Sequence, residues 1–520
     1  MQESGNPVHA GITVAELVVR ALMQPAQHVA ITSGDEQLTY GQLRDKCWQV
    51  VRALQQAGLS KGDTAALLFG NRLEAVVAIL AVQLLGLKYL SLHPLASLAD
   101  HRFVLEDAGV KALFVDNSRY AQRAEELASS AAIVLSLYDT PDTPGLMSTA
   151  ASCDTRPMPV SDNPQEVFRL AYTGGTTGRS KGIRHTHRTT ITMIMQMLAT
   201  YEWPATPRYL VTTPISHAAG SLLLPTFLKG GTVVLMEKYD AAAFCRLVEQ
   251  HHINLTFMVP TQIYGLLESP AVSQHDLSSL ALVLYGAAPI APVKLAQAIE
   301  TIGPVFGQLY GQAEAPMTIA YLSRKDHDLD RPHLLASCGR PIPGTRLGLF
   351  DDQMQPVPVG EVGEICVRGP LLMEGYLNRP EETEKVFAGG WLHTGDMARM
   401  DEEGYLYLVD RAKDMIISGG FNVYPSEVEA CLAQHPQVAM CAVIGVPDEK
   451  WGEKVTAIVV PKEGEPCTEQ ALIEHVMQHK GAVDTPKQVI FTEELPLTAL
   501  GKIDKKTLRQ QFWQTDNRQI

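Results

Sequence analysis

Tyr172-Thr173-Gly174-Gly175-Thr176-Thr177-Gly178-Arg179-Ser180-Lys181-Gly182 is the stretch on which the reading of this chain turns. Two adjacent glycines, a third at 178, three threonine hydroxyls and a lysine make a loop whose backbone N–H groups can wrap a phosphate. It is not a Walker A loop, because no Gly-Lys-Ser/Thr follows a glycine at the required spacing. Taken alone, a Gly/Thr-rich segment ending in lysine is also what a plain surface turn looks like. The segment therefore has to be weighed with what surrounds it.

On either side, strand-like apolar runs alternate with helix-like ones: 64–69 then 74–85, 112–115, 208–213, 231–235 then 241–251, and 280–285 then 291–300. Such alternation predicts parallel βαβ units with sheets buried on both faces. Around 346–367 the texture changes to short segments broken by Gly360 and Gly363, which predicts antiparallel hairpins or a small β-barrel. After Arg411 a compact α/β pattern restarts. It has a helix over 426–434 capped by Ser426, strands over 443–446 and 455–460, and a helix over 469–479. The expected fold is α/β: a large N-terminal region, residues 1–410, and a small α+β C-terminal domain, residues 416–520, joined by 411–415.

The 520 residues carry 43 Lys plus Arg against 57 Asp plus Glu, a net charge of -14. That balance argues against binding nucleic acid through the overall field, yet allows a local basic pocket for one small anion. No basic segment followed by an apolar run opens the chain. The most apolar stretch, 75–87, is far shorter than the roughly 20 residues of a membrane span and reads as a buried helix. Eight cysteines without a CxxC pair read as reduced thiols, neither a disulfide framework nor a zinc site. His185 with His187, and His251 with His252, lack neighbours at ligand spacing. A cytoplasmic location is expected.

Three further segments carry chemistry. In Tyr310-Gly311-Gln312-Ala313-Glu314 an aromatic ring before glycine can stack on a base, and the carboxylate can hold Mg²⁺ beside phosphate oxygens; the plain alternative is a strand end with a surface Glu. In Trp391-Leu392-His393-Thr394-Gly395-Asp396 and Asp410-Arg411, a carboxylate and a guanidinium could bracket a ribose diol, or form an ordinary salt bridge.

Together, Thr173–Gly182, Tyr310–Glu314, Thr394-Gly395-Asp396, Asp410-Arg411 and Gly501-Lys502-Ile503 stand in the order and spacing of the adenylate-forming superfamily, which the chain resembles along nearly its whole length. That superfamily comprises acyl- and aryl-CoA synthetases, peptide-synthetase adenylation domains and luciferases. The resemblance implies two parallel-sheet subdomains, a small barrel and a mobile C-terminal lid. It also implies a reaction in which a carboxylate attacks the α-phosphate of ATP, pyrophosphate leaves, and the acyl group passes from AMP to a thiol. By the same resemblance Thr173, Gly174, Gly175, Thr176, Thr177 and Lys181 would grip the phosphates. Glu314 and Thr177 would serve Mg²⁺, Gly286, Ala287, Ala288, Tyr310 and Gly311 would line the adenine slot, and Asp396 and Arg411 would hold the ribose. Lys502 would bridge carboxylate and phosphate as charge shifts. Lys413 would be the hinge, and Ser418, Gly419, Gly420, Phe421, Trp451 and Lys487 would meet the pantetheine thiol and CoA.

Two departures bear on activity. Ala313 stands where the family usually has Thr, and losing one hydrogen bond to a charged group is worth about 1.5–3 kcal/mol, so adenylation should slow or use another donor. Residues 482–488 keep only Lys487 as a cation and add Asp484, which favours a carrier-protein phosphopantetheine as an alternative acceptor to CoA. For the acyl pocket, His217 matches a gating residue, and Ala218, Ala219 and Gly220 leave volume. Val259, Tyr285 and Gly286 are expected on the far wall. With no Arg or Lys at these positions, an apolar fatty or aromatic acid is expected. A CoA ligase is the first reading, a carrier-loading enzyme the second, and a nucleotide-binding paralogue with little catalysis the third; a homodimer stays open.

Overall fold

The computed structural model describes residues 11–161, 163–172, 180–411, 414–418, 421–448, 450–462, 464, 467–497 and 503–512, with Arg411 and Asn422 described by backbone alone. The chain divides into two compact units. The first comprises residues up to 174, 180–346 and 368–390; the second comprises 175–179, 347–367 and 391 onward.

The first unit holds two sheets. One has nine strands, in the order Arg340–Pro341, Ala315–Leu322, Phe306–Gln312, Leu282–Tyr285, Leu255–Met258, Arg208–Val211, Thr232–Leu235, Val29–Ser33 and Glu36–Thr39. Every pairing from Phe306–Gln312 through Val29–Ser33 is parallel, and the edges are antiparallel. The other has seven strands: Gly375–Tyr376, Gly182–Thr186, Val167–Tyr172, Lys88–Ser91, Thr64–Leu68, Ala112–Val115 and Ile133–Ser136. Its last five strands pair in parallel.

The parallel strands are wholly apolar because both faces are covered: Leu255–Met258 and Leu282–Tyr285 are buried at every residue. The apolar stretch near 75–87 is the helix Leu73–Leu85, buried continuously from Leu73 to Leu84 except for Glu74 and ended by Gly86 at φ 75°. It is a core helix, and among the described residues no helix is long and apolar enough to cross a membrane. Phe244, Ile263, Leu295 and Phe306 fill the core beneath the larger sheet; each such side chain contributes about 1.5–3 kcal/mol on burial.

In the second unit, the small barrel expected near 346–367 takes the form of a four-stranded antiparallel sheet: Arg346–Phe350, Val362–Arg368, Leu392–Met400 and Leu406–Arg411. A five-stranded sheet is built on the long hairpin Val438–Asp448 and Gly452–Pro461, packed by the helices Pro425–Leu432 and Glu469–Lys480 through Val428, Leu432, Leu472 and Val476. The expected helix cap at Ser426 is corrected. Tyr424 is the N-cap and Pro425 opens the helix, its fixed φ suiting the first turn, while Ser426 N donates to Asp410 Oδ2 at 2.9 Å. The predicted strand 443–446 is the middle of a longer one, since the flanking exposed Met440 and half-buried Cys441 also pair.

Candidate active site

The quoted loop joins two antiparallel strands, Val167–Tyr172 and Gly182–Thr186, whose register sets Tyr172 opposite Gly182 and so pins both ends of the loop. Thr173, Gly174, Gly175, Thr176 and Thr177 themselves lie outside the described residues, as do Lys413, Gly419, Gly420 and Lys502. Lys181 is half-buried. Its Nζ pairs with the Glu382 carboxylate and lies 4.8 Å from the centre of the Tyr376 ring.

Tyr376, which the sequence did not single out, organises this corner. Its hydroxyl donates to Glu314 Oε1 at 2.9 Å, and its backbone pairs with Ile183 beside the loop. Burial, and then the Glu314 charge, push the phenol well above its usual range, so it stays a donor. The neighbouring turn is held twice: Met373 N donates to Glu314 O at 2.9 Å, and His185 Nε2 lies 2.8 Å from Ala313 O. Burial lowers His185 to about 4, so the ring is neutral and gives one N–H to that carbonyl. Glu314 is thus a carboxylate with one oxygen oriented by a phenol, a hard ligand of the kind Mg²⁺ takes. An open cleft of about 530 Å³ is lined by Tyr376 together with Arg184 and Arg379, each arginine burying an Nε without an acceptor among the described residues.

Gly286 and Ala287 follow the strand Leu282–Tyr285. A Cβ on Gly286 would come within 2.6 Å of Leu309 O, so only glycine lets these strands close, and Ala287 takes φ 68°. Ala287 is exposed, Ala288 and Gly311 half-buried, and Tyr310 8% exposed in the adjacent strand.

His217 lies on a wall of a narrow slot of about 50 Å³ with Gly220, Met193 and Leu224. Its Nδ1 is 2.7 Å from Ser216 Oγ and its ring meets His93 edge-on at 4.6 Å. Burial, with the charges of His93 and Arg169, lowers it to about 4. Gly220 is obligatory, since a Cβ there would meet Ile215 O at 2.0 Å. Two other residues expected on that wall lie in the core. Tyr285 is fully buried, bonded to Gln308 and His327 in the core, and Ala219 is equally buried, accepting from Tyr209. Neither these nor Ala218, Val259 or Gly286 line the slot. Nor is the slot free of cations: Arg169 lines it beside Gln83 and Tyr89. The parallel register sets Arg169 against Tyr89, a juxtaposition that distance in the sequence conceals.

In the second unit, Asp396 and Arg411 are cross-strand partners. Glu364 braces that turn, accepting from Gly395 N at 2.9 Å through Oε1 and lying 2.7 Å from His393 Nδ1 through Oε2. Ser418 pairs with Phe421 and with Gly452, next to Trp451. Ser418 is buried, its Oγ without a partner among the described residues, whereas Phe421 is exposed. Lys450 and Lys487 sit 4.8 and 5.4 Å from the Trp451 ring centre. Burial lowers Lys487 and raises Asp484, each opposed by the other's charge.

Residues 18–377 match the AMP-binding enzyme model and 427–502 the AMP-binding enzyme C-terminal domain model. The chain belongs to the AMP-binding enzyme family of adenylate-forming enzymes. It is 45% identical to a medium/long-chain-fatty-acid–CoA ligase of Mycobacterium tuberculosis, covering 99% of this chain and 92% of that protein. It is 37% identical to a feruloyl-CoA synthase of Amycolatopsis, covering 95% and 98%. Among solved structures it is similar to the amide bond synthetase McbA from Marinactinospora thermotolerans, with TM-score 0.88, 35% identity and coverage of 96% and 100%. ATP-bound MatB from Rhodopseudomonas palustris gives TM-score 0.87 at 28% identity, covering 96% and 99%.

Proposed function

We propose that this chain is an AMP-forming acid:CoA ligase acting on a fatty or aromatic acid. A carboxylate oxygen of the acid bonds to the α-phosphorus of ATP as the bond to the β-phosphate breaks and pyrophosphate leaves. The CoA sulfur, having lost its proton, then bonds to the acyl carbon and AMP departs. The observation that supports this most is the grouping, in one unit, of the two strands that flank the loop with Lys181, Tyr376 and Glu314.

In this reading Lys181 exchanges Glu382 for phosphate oxygens, keeping a point charge near developing negative charge. Glu314, oriented by Tyr376, would hold Mg²⁺ with Thr177, and bound Mg²⁺ would neutralise phosphate charge. Arg184 and Arg379, which line the cleft beside Tyr376, would set positive charge near departing pyrophosphate. His217, neutral through burial, orients the acid by hydrogen bonding rather than by charge. Asp396 and Arg411 would hold the ribose, Lys502 the reacting oxygens, and Ser418 and Trp451 the thiol arm. These assignments rest on the resemblance, as does a division into residues 1–410, a hinge at 411–415 with Lys413, and 416–520. Supplies of ATP and CoA favour a cytoplasmic location.

Arg169 refines the substrate. Its side chain makes no hydrogen bond or ion pair to another described residue, and Gln83 Oε1 beside it is buried without a donor. A keto or methoxy oxygen on the acid's tail would accept from Arg169, and a hydroxyl could also donate to Gln83 Oε1, which favours oxygenated aromatic acids over plain alkyl chains. The test is to incubate the protein with ATP, CoA and a panel of alkyl and oxygenated aryl acids. The expected products are AMP, pyrophosphate and thioester in equal amounts. Formation of ADP and phosphate, or no CoA-dependent thioester with any acid, would overturn the proposal.

A further inference from the structure

The second unit contains a group of side chains that the ligase chemistry does not use. Cys431 lies in the last turn of the helix Pro425–Leu432, and His475 and His479 stand one turn apart on the facing helix Glu469–Lys480. Each offers one ligand atom, and the three atoms lie within 4.8 Å of one another. The His475 and His479 rings are 4.4 Å apart, and His435, one turn beyond Cys431, has its ring 5.1 Å from that of His475. We propose that Cys431, His475 and His479, with His435 as fourth ligand, bind a divalent transition metal ion, zinc above all, that ties the two helices together.

The donor set is the reason. One thiolate and imidazoles at i, i+4 spacing are what a tetrahedral zinc site draws on, with bonds of about 2.0–2.3 Å. Ligand atoms around such an ion sit about 3.3–3.8 Å apart, so closing on it needs a contraction of about 1 Å, within the reach of side-chain rotation. His479 Nδ1 lies 2.7 Å from His475 O, so its N–H is committed to a carbonyl and Nε2 keeps the lone pair, the outer hydrogen bond that metal-binding histidines have. His475 Nε2 lies 3.1 Å from Cys431 O, fixing that ring against the other helix. Cys431 is buried and His479 exposed, which gives the ion a dry inner side and an open entry. The pattern escapes a search for paired cysteines because the two halves, Cys-x3-His and His-x3-His, come from segments 44 positions apart.

The experiment uses the untagged full-length protein, freed of metal by a chelator and titrated with Co²⁺. One equivalent is expected to bind, with a thiolate-to-cobalt band in the near ultraviolet and the strong visible bands of four-coordinate cobalt, all removed by Zn²⁺. Cys431→Ser should abolish the near-ultraviolet band. His479→Ala, at an exposed position that should not disturb folding, should weaken binding by at least about tenfold. Zn²⁺ should raise the melting temperature of the parent protein and not of His479→Ala. Cobalt binding no greater than that of the triple variant Cys431→Ser, His475→Ala, His479→Ala, or binding undiminished in His479→Ala, would overturn the proposal. Acid activation is not the readout, so failure here leaves the ligase reading untouched.

Discussion

Replacing Tyr376 by Phe removes one oxygen and keeps the ring. The ring stays packed at a position only 6% exposed and still faces Lys181 Nζ, 4.8 Å from its centre. What is lost is the 2.9 Å hydrogen bond to Glu314 Oε1. A hydrogen bond to a charged group is worth about 1.5–3 kcal/mol, and about 1.4 kcal/mol is a factor of ten. Adenylation should therefore fall about 10- to 100-fold in kcat/KM. Part of that loss should be recovered at high Mg²⁺, because the carboxylate is misoriented rather than removed. The assay is pyrophosphate release over a Mg²⁺ titration, run beside thioester formation from preformed acyl-adenylate, with a melting curve as control. Thioester formation should be nearly unchanged. A variant that melts like the parent and adenylates within about threefold of it would refute the claim that Tyr376 positions Glu314.

Four other outcomes are expected. Lys502→Ala should lose most adenylation yet form thioester from preformed acyl-adenylate; an equal fall in both half-reactions would remove Lys502 from its assigned role. Ala313→Thr should speed adenylation if a hydroxyl is missing there, whereas an unchanged rate would mean another group serves. Arg169→Leu should shift the kcat/KM ratio toward plain alkyl over oxygenated aryl acids by about tenfold, and an unchanged ratio would place Arg169 outside substrate recognition. His185, His187, His217 and His327 are each held down to about 4, chiefly by burial. Between about pH 6.5 and 4 the unfolded chain therefore binds more protons than the folded one. Stability is full above that window and falls as pH drops through it. The melting temperature should decline from pH 6.5 to 5, and His327→Gln should flatten the slope; a slope identical to the parent's would rule out His327 as a contributor.

The sequence by itself determined the fold class and the reaction class. Both are written in local signals: apolar runs of strand length alternating with helical ones, and short motifs whose order survives any uncertainty about their placement. Leu255–Met258 and Leu282–Tyr285 were legible because a strand covered on both faces is apolar throughout. Ser426 was misread as a cap because a serine before an apolar run and a proline at the first helical position make competing claims, and proline's fixed φ prevails.

Only the tertiary structure decided which side chains share a space. Tyr376 reaches Glu314 across 62 positions, His185 reaches the Ala313 carbonyl across 128, and Arg169 enters the slot with His217 from the strand Val167–Tyr172. Tyr285, which chain order places beside the adenine motif, turns into the core instead. Strand register and sheet order settle such pairings, and they depend on long-range packing that no window of sequence contains.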